Sequence, residues 1–232
     1  MKTNLYFFLV ILVSAQLLQG EETDESPITV NSSNNIENIA VLYQNGNPLE
    51  VGQIIDNQPE GPYKSFYEDG KTKVRGVFSD GNREGLWEAF YSNGSLQERA
   101  NWKGGVLEGT LETFYKEGQK LSEGSLSDGL RVGVWKFFFK NGTSEQVGSF
   151  EKGKREGEWK FFRQDGSLKS KGSFKDGKEN GIFEFYHPAG KLEGKGSFES
   201  GKRRGSWEWY DAEGRFVTKR NFIQRVQDEE TK

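Results

Sequence analysis

The side chains able to do chemistry are few and fall at fixed places. His187 is the single histidine and there is no cysteine, which excludes thiolate chemistry, disulfides, zinc–thiolate sites and a multi-histidine metal centre. Paired carboxylates can act as general acid and base. The candidates Asp69, Glu117, Asp165 and Glu213 each stand directly before a glycine, where a short polar residue serves a tight turn. The stretch GSFKDGK (172–178) has the GxxxxGK spacing of a phosphate loop but no strand–loop–helix context. We expect no catalytic residue, no metal ligand and no cofactor, and a non-enzymatic chain.

Basic residues gather after three glycines: Lys154 and Arg155, then Lys178, then Lys202, Arg203 and Arg204. Such a rim could meet anionic lipid headgroups, at up to about 1 kcal/mol per charge near a membrane. Lysines on loops and strand edges also block unwanted pairing, which is the preferred reading. The net charge of −3 argues against a nucleic-acid partner.

What positions these residues is a repeat of 24. Gly61, Gly85, Gly109, Gly133, Gly157, Gly181 and Gly205 recur at that spacing and define offset 0 of seven units. Offset 9 is glycine in all seven, including Gly70, Gly94, Gly142 and Gly166. Offset 15 holds Gly76, Gly124, Gly148, Gly172 and Gly196, with Ala100 and Arg220 as departures. Rings keep the same period: Trp87, Trp135, Trp159, Phe183 and Trp207 at offset 2, and Phe150, Phe174 and Phe198 at offset 17. Only 33% of the chain is hydrophobic but 14% is aromatic, with 30 glycines. The core is therefore expected to be built of rings and glycines.

Each unit reads as a β-hairpin. Offsets 1–7 are aromatic-rich and free of Gly or Pro in units such as EWKFFRQ (158–164). Asp-Gly or Asn-Gly at offsets 8 and 9 suits a two-residue type I′ turn. Facing residues then have offsets summing to 17, so Trp135 faces Gly148, Trp159 faces Gly172 and Phe183 faces Gly196. Each ring is expected to cover the glycine it faces. Parity puts Tyr67, Tyr91, Tyr115, Leu96, Leu168 and Leu192 on the Trp–Gly side, and charges at offsets 3 and 14 on the other. The expected fold is all-β: one elongated antiparallel sheet of tandem hairpins over residues 37–226, with a degenerate first copy.

The ends differ in composition. MKTNLYFFLVILVSAQLLQG (1–20) reads as a signal peptide, with Lys2 before an apolar run from Leu5 to Val13. Cleavage after Ala15 and after Gly20 both fit, and retention as an anchor is the alternative. No cysteine follows, so a lipoprotein anchor is excluded. Residues 21–36 read as a flexible acidic lead-in and 227–232 as a polar tail. The mature chain is expected in the periplasm, in the cell envelope or secreted.

Units such as GEWKFFRQDGSLKSKGSFKDGKEN (157–180) and GLWEAFYSNGSLQERANWKGGVLE (85–108) resemble the variant MORN repeat found in bacterial proteins of the YwqK-type antitoxin family. The resemblance covers seven to eight units. It implies hairpin arrays in an extended, grooved sheet, and roles in scaffolding, dimerisation and membrane association. The function expected is an exported scaffold that binds a protein partner, or itself as a homodimer, with Tyr67, Tyr91, Tyr115 and the basic rim as candidate contacts. Anionic-lipid binding is the alternative, with antitoxin-like pairing and glycan binding behind it.

Overall fold

The computed structural model describes residues 26–33 and 36–222. Residues 1–20, expected to be a signal peptide, lie outside them, as do the first residues of the expected lead-in and the expected polar tail. The strands are β1 (Ser26–Ser33), β2 (Ile36–Leu42), β3 (Pro48–Ile55), β4 (Gln58–Phe66), β5 (Thr72–Ser79), β6 (Asn82–Phe90), β7 (Leu96–Lys103), β8 (Val106–Phe114) and β9 (Lys120–Ser127). They continue as β10 (Leu130–Phe138), β11 (Ser144–Glu151), β12 (Lys154–Phe162), β13 (Leu168–Lys175), β14 (Lys178–Tyr186), β15 (Leu192–Glu199), β16 (Lys202–Tyr210) and β17 (Phe216–Phe222). Every strand pairs antiparallel with the next in the chain, giving one open sheet of consecutive hairpins. The described residues contain no helix. Ser26–Ser33, expected within a flexible lead-in, is the strand β1 paired with β2.

The turns are the reverse of the expectation. Within each unit the loop has three residues: Tyr67 N–H donates to Lys71 O, Gly70 N–H donates to Tyr67 O, and only the glycine has positive φ. That is a type I turn closed by a left-handed glycine. Asp or Asn at offset 8 earns its place through its side chain, as where Asp69 Oδ1 accepts from Lys71 N–H and Asn93 Oδ1 from Ser95 N–H. The two-residue turn with both central residues at positive φ lies between units, at Asp80–Gly81, Asp128–Gly129, Asp176–Gly177 and their equivalents.

The pairing sum of 17 nevertheless holds over most of each hairpin. Trp135 faces Gly148, Trp159 faces Gly172 and Phe183 faces Gly196. The three-residue turn removes one from the sum, and a bulge at offset 12 restores it; Phe66 faces Thr72 but Ser65 faces Val74. The bulge moves offset 11 to the other face. Leu96, Leu168 and Leu192 therefore face the offset 5 rings Phe90, Phe162 and Tyr186, away from the tryptophans.

A larger irregularity recurs where units meet. Across the β11–β12 junction, Val147 pairs with Lys160 and Ser149 with Glu156, so Gly157, Glu158 and Trp159 together lie opposite Gly148. Accommodating two extra residues needs a left-handed position, and Gly157 supplies it with φ 69°. Phe174 does face Gly157, but no side chain approaches that glycine. Offset 0 is glycine for its backbone angle, not as a seat for a ring.

Candidate interaction surface

The core is a line of side chains on one face, Leu126 followed by the rings of Trp135, Phe150, Trp159, Phe174, Phe183 and Trp207. Trp135 and Trp159 are wholly buried although the sheet is a single layer. The ring that covers each offset 15 glycine comes from the following unit, not from the facing strand of its own hairpin. Trp159 lies over Gly148, Phe183 over Gly172 and Trp207 over Gly196. The bulge makes this reach possible, and the indole N–H completes it. Trp159 Nε1 donates to Ser149 O at 3.1 Å, and Trp135 Nε1 to Ser125 O at 3.0 Å. The offset 17 rings stand edge-on between two such seats: Phe150 is 6.0 Å from Trp135 and 5.1 Å from Trp159, near perpendicular to both. A buried ring of 150–250 Å² contributes on the order of 4–6 kcal/mol by area. A facing cross-strand pair contributes about 0.2–1 kcal/mol, so burial at the junctions dominates.

Arginines close the outer side of the rings. Arg83, Arg131, Arg155 and Arg203 place their guanidiniums 4.3, 4.5, 4.4 and 4.5 Å from the centroids of Trp87, Trp135, Trp159 and Trp207. All four tryptophans at offset 2 have this arginine four residues earlier, whereas Tyr63, Leu111 and Phe183 follow Pro59, Leu107 and Glu179. Indole is the best face for a cation. Burial draws the Arg131 and Arg155 guanidiniums below their usual pKa.

The expected basic rim thus divides. Arg155 and Arg203 belong to the ring face, with Arg155 also donating to Gln146 Oε1 at 2.7 Å. Arg204 pairs with Glu199 at 2.8 Å. Lys154, Lys178 and Lys202 are exposed, each at the first position of its strand after an inter-unit turn. Lys154 reaches Asp176 at 3.4 Å.

The tyrosines named as candidate contacts are half-buried and engaged. Tyr67, Tyr91 and Tyr115 donate their hydroxyls to Phe90 O, Phe114 O and Phe138 O, each one unit further on. His187 occupies the same position and meets Tyr210 O at 2.9 Å, so it stands in for a tyrosine. Asn93 and Asn141 likewise donate to Lys116 O and Gln164 O. Of the turn carboxylates, Asp69 and Asp165 accept from turn N–H groups, Glu117 pairs with Lys140, and Glu213 with Arg215.

The opposite face carries a charge ladder. Glu88 is bridged by Arg75 and Arg99 at 2.7 and 3.0 Å. Arg99 continues to Glu112, which with Glu123 holds Lys120. Burial raises the Glu88 carboxyl, but the two arginines more than offset it and hold it below the ordinary range. In the second half, Lys171 pairs with Glu184 and Lys195 with Glu208. Glu184 faces Lys195 in its own hairpin, yet its ion pair runs across the junction. Among the described residues no cluster of three metal-ligating side chains occurs.

The ring seats, the arginine caps and the bulges escaped the pairing arithmetic, although the chain carried a signal for the first. Where offset 15 departs to Ala100, the facing Trp87 is retained and the next unit's ring becomes Leu111. Where it departs to Arg220, no further unit follows among the strands. Both exceptions point to the following unit as the source of the ring.

The family model for the MORN repeat variant matches four segments, residues 59–80, 83–103, 155–176 and 179–200. These are the hairpins β4–β5, β6–β7, β12–β13 and β14–β15. No curated protein matches the chain.

Proposed function

We propose that all eight hairpins from β2 to β17 are copies of that unit and that the chain is a non-enzymatic, exported scaffold holding a protein partner along its sheet. The observation that carries this reading is the regular presentation of side chains. Equivalent residues return every second strand, about 10 Å apart, on a platform whose offset 2 indoles and offset 15 glycines, with Tyr67, Tyr91 and Tyr115, are spent on its own junctions. Repeat arrays of this kind use their long surface for binding. Photo-cross-linkers at the exposed residues Glu158 and Glu193 test it in the source cells. Capture of one protein from both positions supports the scaffold; capture of none at either contradicts it. N-terminal sequencing of the product tests export, with a start at Gln16 or Glu21 expected.

Homodimerisation would use a different surface from the ring face, whose rings already cover one another. Phe216 and Val217, each 59% exposed on the terminal strand β17, favour edge-to-edge pairing of two copies. Light scattering decides this: a dimer that Phe216→Ser disperses supports it. Antitoxin-like pairing would be one case of partner binding. Lipid binding rests on the row Lys154, Lys178 and Lys202, and requires sedimentation with anionic vesicles that weakens as salt rises. Glycan stacking has less support, because Trp135 and Trp159 lie beneath arginines.

A further inference from the structure

The arginine caps leave something over. Stacking satisfies the flat faces of a guanidinium but not the N–H groups along its rim. Among the described residues, Arg131 and Arg203 make ring contacts and no hydrogen bond or ion pair with another side chain. Arg155 spends one nitrogen on Gln146. These groups are held over indoles, so little rotamer freedom remains to be lost on binding. A guanidinium fixed in this way is a ready bidentate partner for a carboxylate.

The row has a definite order. Offset 22 reads Arg131, Arg155, Glu179, Arg203 along successive junctions, spaced by two strands or about 10 Å. A peptide in the polyproline II conformation rises about 3.1 Å per residue with three residues per turn, so its residues i, i+3 and i+6 share one side at about the spacing of the row. We propose that this row docks a polyproline II segment of a protein partner, with carboxylates at i and i+3 for Arg131 and Arg155 and a lysine or arginine at i+6 for Glu179. Arg203 adds a place for a third carboxylate at i+9. The proposal rests on the scaffold reading above and names the chemistry of its partner.

A membrane fits this face less well. Glu179 interrupts the row, and Glu193 lines the same hollow as Arg203, Trp207 and Trp209. Lys154, Lys178 and Lys202 precede the row residues by one position and so point to the opposite face.

The test uses the full array from residue 21 and fluorescent Gly/Ser peptides. One carries Asp at positions 2 and 5 and Lys at 8, and a second carries the same residues at 2, 3 and 4. The spaced peptide is expected to bind at least about tenfold tighter, and Arg155→Gln should remove about tenfold of that affinity. Glu179→Lys touches no ring contact, so the fold is left intact. It should transfer preference to a peptide with Asp at 8. Equal binding of spaced and clustered peptides, no saturable binding at millimolar peptide, or displacement by phosphatidylserine vesicles overturns the proposal. If partner cross-linking at Glu158 survives Arg131→Gln with Arg155→Gln, the scaffold stands and this docking row does not.

Discussion

Trp159 lies flat over Gly148, a residue of the preceding hairpin, and its indole N–H reaches the carbonyl of Ser149 beside it. The repeat is therefore not a chain of self-contained hairpins. Each unit with glycine at offset 15 lacks the ring that covers it and receives that ring from its successor, so stability is shared across junctions, as expected of arrays whose elements contact mainly their neighbours.

Glycines at different offsets should respond differently to alanine. Gly157 has positive φ and open space around its missing Cβ, so Gly157→Ala should cost about 1 kcal/mol of backbone strain. Gly172→Ala drives a Cβ into the ring of Phe183 and should cost about 1–3 kcal/mol or more, the range for overpacking. Urea denaturation of the two variants checks the order; equal losses would contradict it.

How far the sequence could be read depended on what periodicity encodes. Spacing reports which residues return to the same place, so the hairpins and the facing pairs Trp135–Gly148 and Trp159–Gly172 were legible. It does not report how the backbone bends between those places. The three-residue turn and the bulge at offset 12 cancel in the pairing sum, yet Leu96, Leu168 and Leu192 change face because of the bulge. The junction bulges moved the ring seats one unit along, and only the exceptions Ala100 and Arg220 recorded it. Tyr67, Tyr91 and Tyr115 looked like surface contacts because their hydroxyl acceptors lie 23 residues away, beyond any local pattern.

Removing one rung of that hydroxyl ladder should be measurable. Tyr91→Phe deletes the 2.8 Å bond to Phe114 O and leaves the ring, so a loss of about 1 kcal/mol is expected. Hydrogen exchange should show the effect at the two adjoining turns. A loss spread evenly over the whole array would contradict a local role.

The charge ladder predicts an acid-sensitive first half. The folded Glu88 carboxyl lies below its ordinary pKa of 4.5, so its contribution is present above that value and is lost as pH falls through the folded pKa. Melting temperature should therefore drop below about pH 4.5, and Glu88→Gln should flatten that drop while lowering stability near neutrality by about 1–3 kcal/mol. An unchanged acid limb in Glu88→Gln would remove Glu88 from the account.

The arginine caps should act through tryptophan. Arg155→Met keeps an apolar stem over Trp159 but loses the cation, with an expected cost of about 0.5–2 kcal/mol. At the junction where Glu179 precedes Phe183, Glu179→Gln should cost much less. Thermal melts of the two variants give the comparison, and equal losses would count against cation–ring stacking.

The most direct test of the inter-unit seat is a double-mutant cycle on Gly148→Ala. If the covering ring belongs to the next unit, Trp159→Leu restores most of the compatibility, reproducing the Ala100–Leu111 junction the chain already contains, while Trp135→Leu only adds its own loss. The predicted result is a coupling energy of about 1–3 kcal/mol between positions 148 and 159 and near zero between 148 and 135. Coupling to 135 instead of 159 would contradict the account.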